Sequence, residues 1–285
     1  MSFRIRTNVS SLTAQRNLSQ NIKATNESFE KLSSGYRINK SKDDAAGLAI
    51  SENLKARTRG LGQAKRNAND GISLIQIAEG GMNEVANILV RMRELSVQAA
   101  SDTVGDKERE FLNREFVALG KEIDRIAATT EFNGNKLFDG EKEEFVVQVG
   151  VNGTEPDDNQ DTISLDVSGL NFNTGELGLD AEEAIGGDGV GRENAVEILT
   201  SIDDALSRVA SERASIGAMQ SRMESTITSL DISIENESAA MSRIKDADFS
   251  GETAKMAQSQ IMQQASVSVL SNANASADQA LALLR

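Results

Sequence analysis

A heptad repeat runs through LGQAKRNANDGISLIQIAEGGMNEVANILVRMRELSVQA, residues 61–99. Small or apolar side chains recur alternately three and four positions apart, which is the spacing of a coiled-coil seam. The seam positions are Leu61, Ala64, Ala68, Gly71, Ile75, Ala78, Met82, Val85, Leu89, Met92, Ser96 and Ala99. Only Gly71 and Ser96 interrupt the apolar pattern. The spacing predicts one long helix whose seam packs against a partner helix.

A second heptad run occupies residues 195–244, and no proline interrupts it. Its apolar positions are Ala195, Leu199, Ile202, Leu206, Val209, Ile216, Met223, Ile227, Leu230, Ile234, Met241 and Ile244. As a helix this run would be roughly 75 Å long at ~1.5 Å per residue. Surface helices of globular domains average ~10–14 residues, so the two runs favour long helices packed side by side.

Shorter helices are predicted over residues 10–33, 106–128 and 252–284. Asp106 stands in a cap-like position at the start of the middle one. The first has Leu18, Ile22, Phe29 and Leu32 on one stripe, and the last contains Ile261 and Val269 among many small residues. Both chain ends are helical and of similar length, so we expect the two terminal helices to pair with each other. Since both stripes are narrow, we expect these helices to become ordered only against partners.

The middle of the chain differs in kind. FNGNKLFDG (132–140) is rich in turn residues, and FVVQVGV (145–151) and DTISLDVS (161–168) are predicted strands. An acidic loop with the only proline, Pro156, lies between the strands, and GGDGVG (186–191) is predicted to be a flexible joint. The predicted fold is mainly α, with long antiparallel helices in coiled-coil or bundle packing and a small central β insert.

The composition of the 285 residues disfavours an enzyme. The hydrophobic fraction of 39% suffices for a core, but aromatic residues are only 4%, so that core must be aliphatic. The chain has no His and no Cys, which excludes thiol or imidazole metal sites, disulfides and Ser-His-Asp catalysis. These absences and the heptads together indicate an assembling protein without a cofactor.

The formal charge of −14 is distributed unevenly. Residues 1–66 carry a net +8, whereas residues 141–200 carry −13. The basic quarter could be a nucleic-acid arm or a helix facing the acidic remainder of the same or a neighbouring chain. Because its cations alternate with Leu, Ile and Ala, the second interpretation is favoured, and no nucleic-acid partner is expected.

Two loop patterns resemble ligand sites only in part. The acidic run 157–161 has alternating oxygen ligands, but Thr162 and Ser168 stand where a calcium loop needs glycine and glutamate. The glycine-rich run 187–191 has Arg192 where a dinucleotide loop needs its last glycine, and no strand leads into it. A solvated acidic loop and a hinge are the favoured interpretations.

The adjacent carboxylates Asp43-Asp44 and Asp203-Asp204 raise the alternative of acid–base chemistry. Each pair lies near a predicted helix start, where acidic residues complement the helix dipole. We therefore expect both pairs to cap helices. No nucleophile, base and orienting group occur together.

No stretch reaches the ~18 apolar residues of a membrane span. The opening MSFRIRTNVSSLTAQRN also lacks the apolar central region of a secretory signal. A cytoplasmic location, or departure from the cell by a route without signal cleavage, is expected.

Both ends of the chain resemble a known family. The resemblance lies in EKLSSGYRINKSKDDAAGLAIS (30–51), NANDGISLIQIAEGGMNEV (67–85), VRMRELSVQAA (90–100), EIDRIAATTEFNGNKLFDG (122–140) and SRIKDADFSGETAKMAQSQIMQQASVSVLSNANASADQALALLR (242–285). These stretches resemble bacterial flagellin, the subunit of the flagellar filament, in a short form with little or no variable outer domain. The order of the stretches also resembles the family pattern.

The resemblance implies a division of the chain into three parts. Terminal helices 1–45 and 245–285 would form the inner filament core, segments 46–140 and 185–244 a helical rod domain, and 141–184 a small β-hairpin and loop insert of that domain. The implied core residues are Leu18, Ile22, Phe29, Leu32, Ile261, Val269, Leu281 and Leu284.

The resemblance also implies partners and a location. The chain would polymerise with itself as a motility propeller outside the cell, after export without a cleaved signal peptide. Its other partners would be a flagellar cap protein, hook–filament junction proteins and a flagellar export chaperone. A junction or other axial protein of the flagellum is the alternative. An enzyme embedded in a flagellin scaffold is disfavoured because the middle segment is short and has no His pair.

A host receptor is a further implied partner. In flagellins that Toll-like receptor 5 recognises, an Arg and a Leu in an RxRELxVQ stretch and a Glu on the next helix carry the contact. The matching positions here are Arg91, Leu95 and Glu115. The residues alone also allow an ordinary structural role, with Arg91 paired to Glu94 and Leu95 packed against a neighbouring helix.

Overall fold

The computed structural model describes residues 7–140, 142–152, 160–179, 185 and 191–282, and for 191 and 276–282 it describes the backbone alone. It confirms the mainly α class with a small β insert. The elements are α1 (Val9–Ser34), α2 (Ala45–Ala99), α3 (Asp106–Thr129), β1 (Glu131–Phe132), β2 (Asn135–Lys136), β3 (Glu144–Gln148), β4 (Thr162–Asp166), a short 3₁₀ helix (Ser168–Leu170), α4 (Gly191–Lys245) and α5 (Phe249–Ala282). Both predicted strands are present but shorter than their apolar runs.

The seam predicted in α2 is buried at every one of its twelve positions, from Leu61 to Ala99. Gly71 lies against α4, because a Cβ there would lie 2.9 Å from the sulfur of Met223 and would require that flexible side chain to shift. Ser96 is accommodated because its hydroxyl donates to the Met92 carbonyl oxygen at 2.8 Å. The two interruptions in the apolar pattern are therefore close-packed positions.

In α4 the buried positions recur every seven residues. Six of them form this series, Ala195, Ile202, Val209, Ile216, Met223 and Leu230, and Ile198 and Ala205 beside it are buried as well. Two ion pairs fix the direction of α4 against α2: Lys65 contacts Asp231 at 2.7 Å and Arg93 contacts Asp203 at 2.7 Å. Since the low-numbered position of α2 meets the high-numbered position of α4, the helices are antiparallel, as the predicted fold class states.

The β insert and α3 complete this core. Asn133 and Gly134, with φ of 50° and 78°, form the tight turn between β1 and β2 that the Asn-Gly pair predicts. β3 and β4 pair antiparallel, and Ile163 and Leu165 of β4 are buried. Phe138 packs edge-to-face on a second buried ring, Phe172, with centroids 5.3 Å apart.

Two of the capping predictions were wrong. Gly105, not Asp106, is the cap residue of α3, and the Asp106 carboxylate instead contacts Arg109 at 3.0 Å within the helix. The pair Asp203-Asp204 lies in the interior of α4, because that helix already begins at Gly191. By contrast, Asp44 accepts a hydrogen bond from the Gly47 backbone N–H at 2.9 Å and does cap α2.

The chain forms two compact units. The first contains 1–58 and 235–285, and the second contains 59–234. Their boundaries fall within α2 and α4, and the three-part division of the sequence analysis stays a prediction. Three features of the sequence analysis lie wholly or partly outside the described residues. They are the loop with Pro156, positions 157–159 of the acidic run and positions 186–190 of the glycine-rich joint. Among the described helices, none has a long enough apolar stretch to cross a membrane.

Candidate assembly surface

The terminal helices α1 and α5 lie side by side in antiparallel orientation. The Asn8 side-chain amide donates to the Ala273 carbonyl oxygen at 2.9 Å near one end of the pair. At the other end, Ser28 Oγ donates to Glu252 Oε2 at 3.1 Å. The predicted pairing of the two chain ends is therefore present within a single chain.

The seam between α1 and α5 is made mainly of small and polar side chains. Asn21 Nδ2 donates to Ser266 Oγ at 2.9 Å, and Ser11 Oγ donates to Asn274 Oδ1 at 2.8 Å. The inward-facing positions of α1 are Ser11, Ala14, Leu18, Asn21, Thr25, Ser28 and Leu32, and those of α5 are Glu252, Met256, Ser259, Gln263, Ser266, Leu270 and Ala273. Both sets follow a heptad spacing, but hydrogen bonds replace some of the apolar contacts of an ordinary coiled coil.

Glu252 is the charged residue of this seam, with 7% of its surface exposed. Lys255 lies 3.0 Å from its carboxylate and Lys31 of α1 lies 4.0 Å away. The hydrogen bond from Lys255, helped by the one from Ser28, holds the pKa of Glu252 below its ordinary value despite burial. The carboxylate therefore stays ionised and joins the first turn of α5 to α1.

Many of the large apolar side chains of the two helices lie outside the seam. The exposed ones are Val9, Leu12, Ile22 and Phe29 on α1, and Phe249, Ile261, Met262, Val267 and Val269 on α5. Phe29 is 65% exposed and Phe249 is 70% exposed. Because apolar side chains are exposed along both helices, this pair is a candidate interaction surface.

The structure divides the predicted stripe of α1 between two faces. Leu18 and Leu32 are half-buried in the seam, whereas Ile22 and Phe29 are exposed. On α5, Ile261 and Val269 are exposed, the side chain of Leu281 is not described, and Leu284 lies outside the described residues.

A short antiparallel contact holds the base of the helix pair. Tyr36 forms an isolated bridge with Asp246, and the Arg37 backbone N–H donates to the Lys245 carbonyl oxygen at 2.7 Å. Gly35 ends α1 with φ of 75°, a conformation that favours glycine, and its carbonyl accepts from the Ala247 N–H at 2.9 Å. The sequence gives no strand signal here, so this contact was missed.

The second unit carries the three residues matched to a receptor contact. The Arg91 guanidinium lies 2.8 Å from Glu115 on α3 and 2.9 Å from Glu94, and the hydrogen bonds that it donates to Glu115 raise the pKa of Arg91. Leu95 is only 1% exposed and packs in the core. The structure thus brings Arg91 and Glu115 together on the surface and places Leu95 beneath it.

Within the described part of the chain, no group of three acidic residues is arranged to hold a metal ion. The arrangement of α1 and α5 offers apolar and hydrogen-bonding surface rather than reactive groups. It suits association with another protein.

The comparisons with known proteins agree with one another. The model of the bacterial flagellin N-terminal helical region matches residues 5–143, and that of the C-terminal helical region matches residues 199–284. The flagellin of Halalkalibacterium halodurans is 43% identical over 278 residues, which cover 98% of each chain. The flagellin of Bacillus subtilis is 39% identical over 307 positions, covering 99% of this chain and 100% of the relative.

A solved structure from Vibrio parahaemolyticus, described as a flagellar hook-associated protein, shares the fold with a TM-score of 0.59. It is only 15% identical, and the match covers 72% of this chain and 100% of that one. The much closer sequence matches are to flagellins rather than to axial proteins of this kind. The chain therefore belongs to the bacterial flagellin family and is a structural subunit of the extracellular flagellar filament, which forms by self-polymerisation.

Proposed function

We propose that this chain polymerises mainly through the outward apolar faces of α1 and α5. The supporting observation is the distribution of side chains on the pair, which has hydrogen bonds across its seam and several large apolar side chains exposed outside it. The seam aligns the two helices in the monomer, and the outer faces leave water only when neighbouring subunits cover them.

In this proposal each of the three parts of the chain has its own position in the filament. Terminal helices 1–45 and 245–285 form the inner core of the filament. Segments 46–140 and 185–244 form a surrounding shell, with 141–184 as its insert. Leu18, Ile22, Phe29, Leu32, Ile261, Val269, Leu281 and Leu284 contribute the packing of the core. Charge supports this order, because residues 141–200, with a net −13, suit a solvated outer position.

Seeded growth tests the proposal. Purified protein is heated to monomer, cooled and mixed with short filament seeds, and electron microscopy should show the seeds elongating. The chain without residues 252–285 should fail to elongate seeds while circular dichroism still reports a folded body over 60–240. Normal growth of the truncated chain would contradict the role given to the terminal helices.

We further propose that the subunit leaves the cell as an unfolded chain through the growing organelle, without signal cleavage, and has no catalytic role. An export chaperone binds it before transit, junction proteins start the filament, and a cap protein holds the tip. The absence of Cys supports this route, because no disulfide can trap the chain in transit. An N-terminal sequence of filament-derived protein that lacked the first residues would contradict it.

Recognition by Toll-like receptor 5 is a second proposed function. Arg91 and Glu115 support it because they form one exposed charged surface on two neighbouring helices. Leu95, packed beneath, holds α2 in position for that surface. Soluble monomer that produced no response in receptor reporter cells would contradict the proposal.

A further inference from the structure

The α1–α5 pair has two different sides. A helix turns about 100° per residue, which places Phe29 about 50° to one side of the α1 seam and Asn17 about 70° to the other. On α5, the same geometry separates Phe249 and Val267 from Met262 and Val269. One side, the aromatic face, therefore carries Ile22, Phe29, Phe249 and Val267. All four of these side chains are exposed.

The opposite side, the pocket face, contains a depression of about 370 Å³. Ala14, Ala265 and Ser266 are its small lining residues, and Met262 and Val269 are its apolar ones. The side-chain amides of Asn17, Gln20 and Asn21 complete the lining. A depression with small and apolar lining residues fits a single large apolar side chain.

Charge favours covering the pocket face with a second copy. Arg16 is the one charged residue in segments 7–22 and 256–277, so little charge has to be desolvated there. The charges beside Phe29 are already paired, since Glu27 contacts Lys42 at 3.0 Å and Glu30 contacts Lys40 at 2.6 Å. Lys31 in turn lies 4.0 Å from Glu252. Both surfaces can therefore meet without burying an isolated charge.

Ile22 and Phe29 are the two exposed side chains of α1 that could enter the pocket of a neighbour, and they differ in their distance from the pocket along the helix axis. Ile22 lies only about 4 residues, or ~6 Å, from the pocket centre along α1, so its insertion would displace neighbours little along the helices. Phe29 lies about 11 residues farther along α1 than the pocket centre, or ~17 Å at ~1.5 Å per residue. A contact between different surfaces with an axial displacement repeats as an open helix, as a filament requires.

We propose that Phe29 of one subunit inserts into the pocket formed by Ala14, Asn21, Met262, Ala265 and Val269 of the next. This contact joins the aromatic face of each copy to the pocket face of its neighbour. It rests on the proposed polymerisation through α1 and α5, and it names the side chain and the cavity that set the displacement between neighbours.

Disulfide trapping between two variants tests the contact, and the absence of native Cys removes any background. One full-length chain carries Phe29→Cys and the other Ala265→Cys, and both are grown together into filaments in excess unmodified chain. Mild oxidation should yield at least ~10-fold more disulfide-linked heterodimer than the control, because the bond needs Cβ atoms within about 4 Å. The matched control replaces Phe29→Cys with Ile22→Cys. Phe111→Cys, exposed on α3, is a second control.

The outcomes separate this contact from the proposed function. Filaments with heterodimer from position 29, and with little from 22 or 111, support the contact. The contact is overturned if normal filaments form and the cysteine at position 22 gives more heterodimer than the one at 29, or if position 29 forms no disulfide with 265. Either result leaves the proposed polymerisation intact. Failure of the unmodified chain to elongate seeds would overturn both.

Discussion

Truncation of Phe29 to alanine should impair assembly without weakening the monomer. The ring is 65% exposed on α1, so few intramolecular contacts are lost. Exposed substitutions of this kind usually change the free energy of unfolding by within about 0.5 kcal/mol. The filament differs, because the proposed packing of α1 against a neighbour removes the ring from water.

The size of the effect follows from the exposed area. An aromatic side chain has ~150–250 Å² to bury. At 65% exposure, assembly removes about 100–160 Å² of Phe29 from water. At ~25 cal/mol per Å² this area stabilises the filament by about 3 kcal/mol per subunit. Since ~1.4 kcal/mol is a factor of ten, Phe29→Ala should raise the critical concentration for assembly about 100-fold.

Sedimentation of filaments at a series of protein concentrations measures the critical concentration, and urea unfolding of the monomer measures stability. Phe111→Ala removes a ring that is 63% exposed on α3 and should leave the critical concentration within about twofold. Phe116→Ala removes a ring that is 1% exposed and should lower the free energy of unfolding by about 3–5 kcal/mol. An unchanged critical concentration for Phe29→Ala would refute the reasoning.

Three other predictions concern the seam, the core and the surface. Because the pKa of Glu252 is lowered from 4.5 in the folded chain, its stabilising contribution is present above pH 4.5 and is lost as the pH falls through the lower folded pKa. Hydrogen exchange of α1 and α5 should therefore accelerate in acid, and Glu252→Gln should remove part of this pH dependence; identical profiles would contradict it. Leu89 is fully buried, so Leu89→Ala should lower the free energy of unfolding in urea by about 2–5 kcal/mol. Its neighbour Val90 is exposed, so Val90→Ala should lower it by under ~0.5 kcal/mol. Exchanging the charges of Arg91 and Glu115 keeps an ion pair between these positions but reverses both surface charges and places a glutamate beside Glu94. The signal in receptor reporter cells should fall, whereas loss of the exposed contact to Glu94 should lower the free energy of unfolding only slightly; a wild-type signal argues against the receptor contact.

The long helices were predictable because their seams follow a single physical rule. Apolar residues at heptad spacing bury one face, and the seam from Leu61 to Ala99 is buried throughout. The start of α2 at Ala45 was not predictable from that rule, since the first part of the helix has no apolar heptad. Its signal was the cap residue Asp44, whose carboxylate accepts from the Gly47 N–H.

The seam of the terminal helices was harder to predict because polar side chains form it. Hydrophobic periodicity predicts that Ile22 and Phe29 are buried, but both are exposed. It gives no weight to the polar residues Asn21 and Ser28, which face the seam. The available signal was the seven-residue spacing of small polar residues, from Asn21 to Ser28 and from Ser259 to Ser266. Because polar residues at this spacing are not distinguished from exposed ones by hydrophobicity, the hydrogen bonds across the pair could not be predicted from the sequence.

The central claim is that the outward apolar faces of α1 and α5 become buried when the filament forms. Hydroxyl-radical footprinting of the full-length chain, read by mass spectrometry, compares side-chain reactivity in monomer and filament. The account predicts that Phe29, Phe249 and Met262 are reactive in the monomer, where all three are exposed, and protected in the filament. Intact filaments in which these three side chains stay as reactive as in the monomer would contradict it.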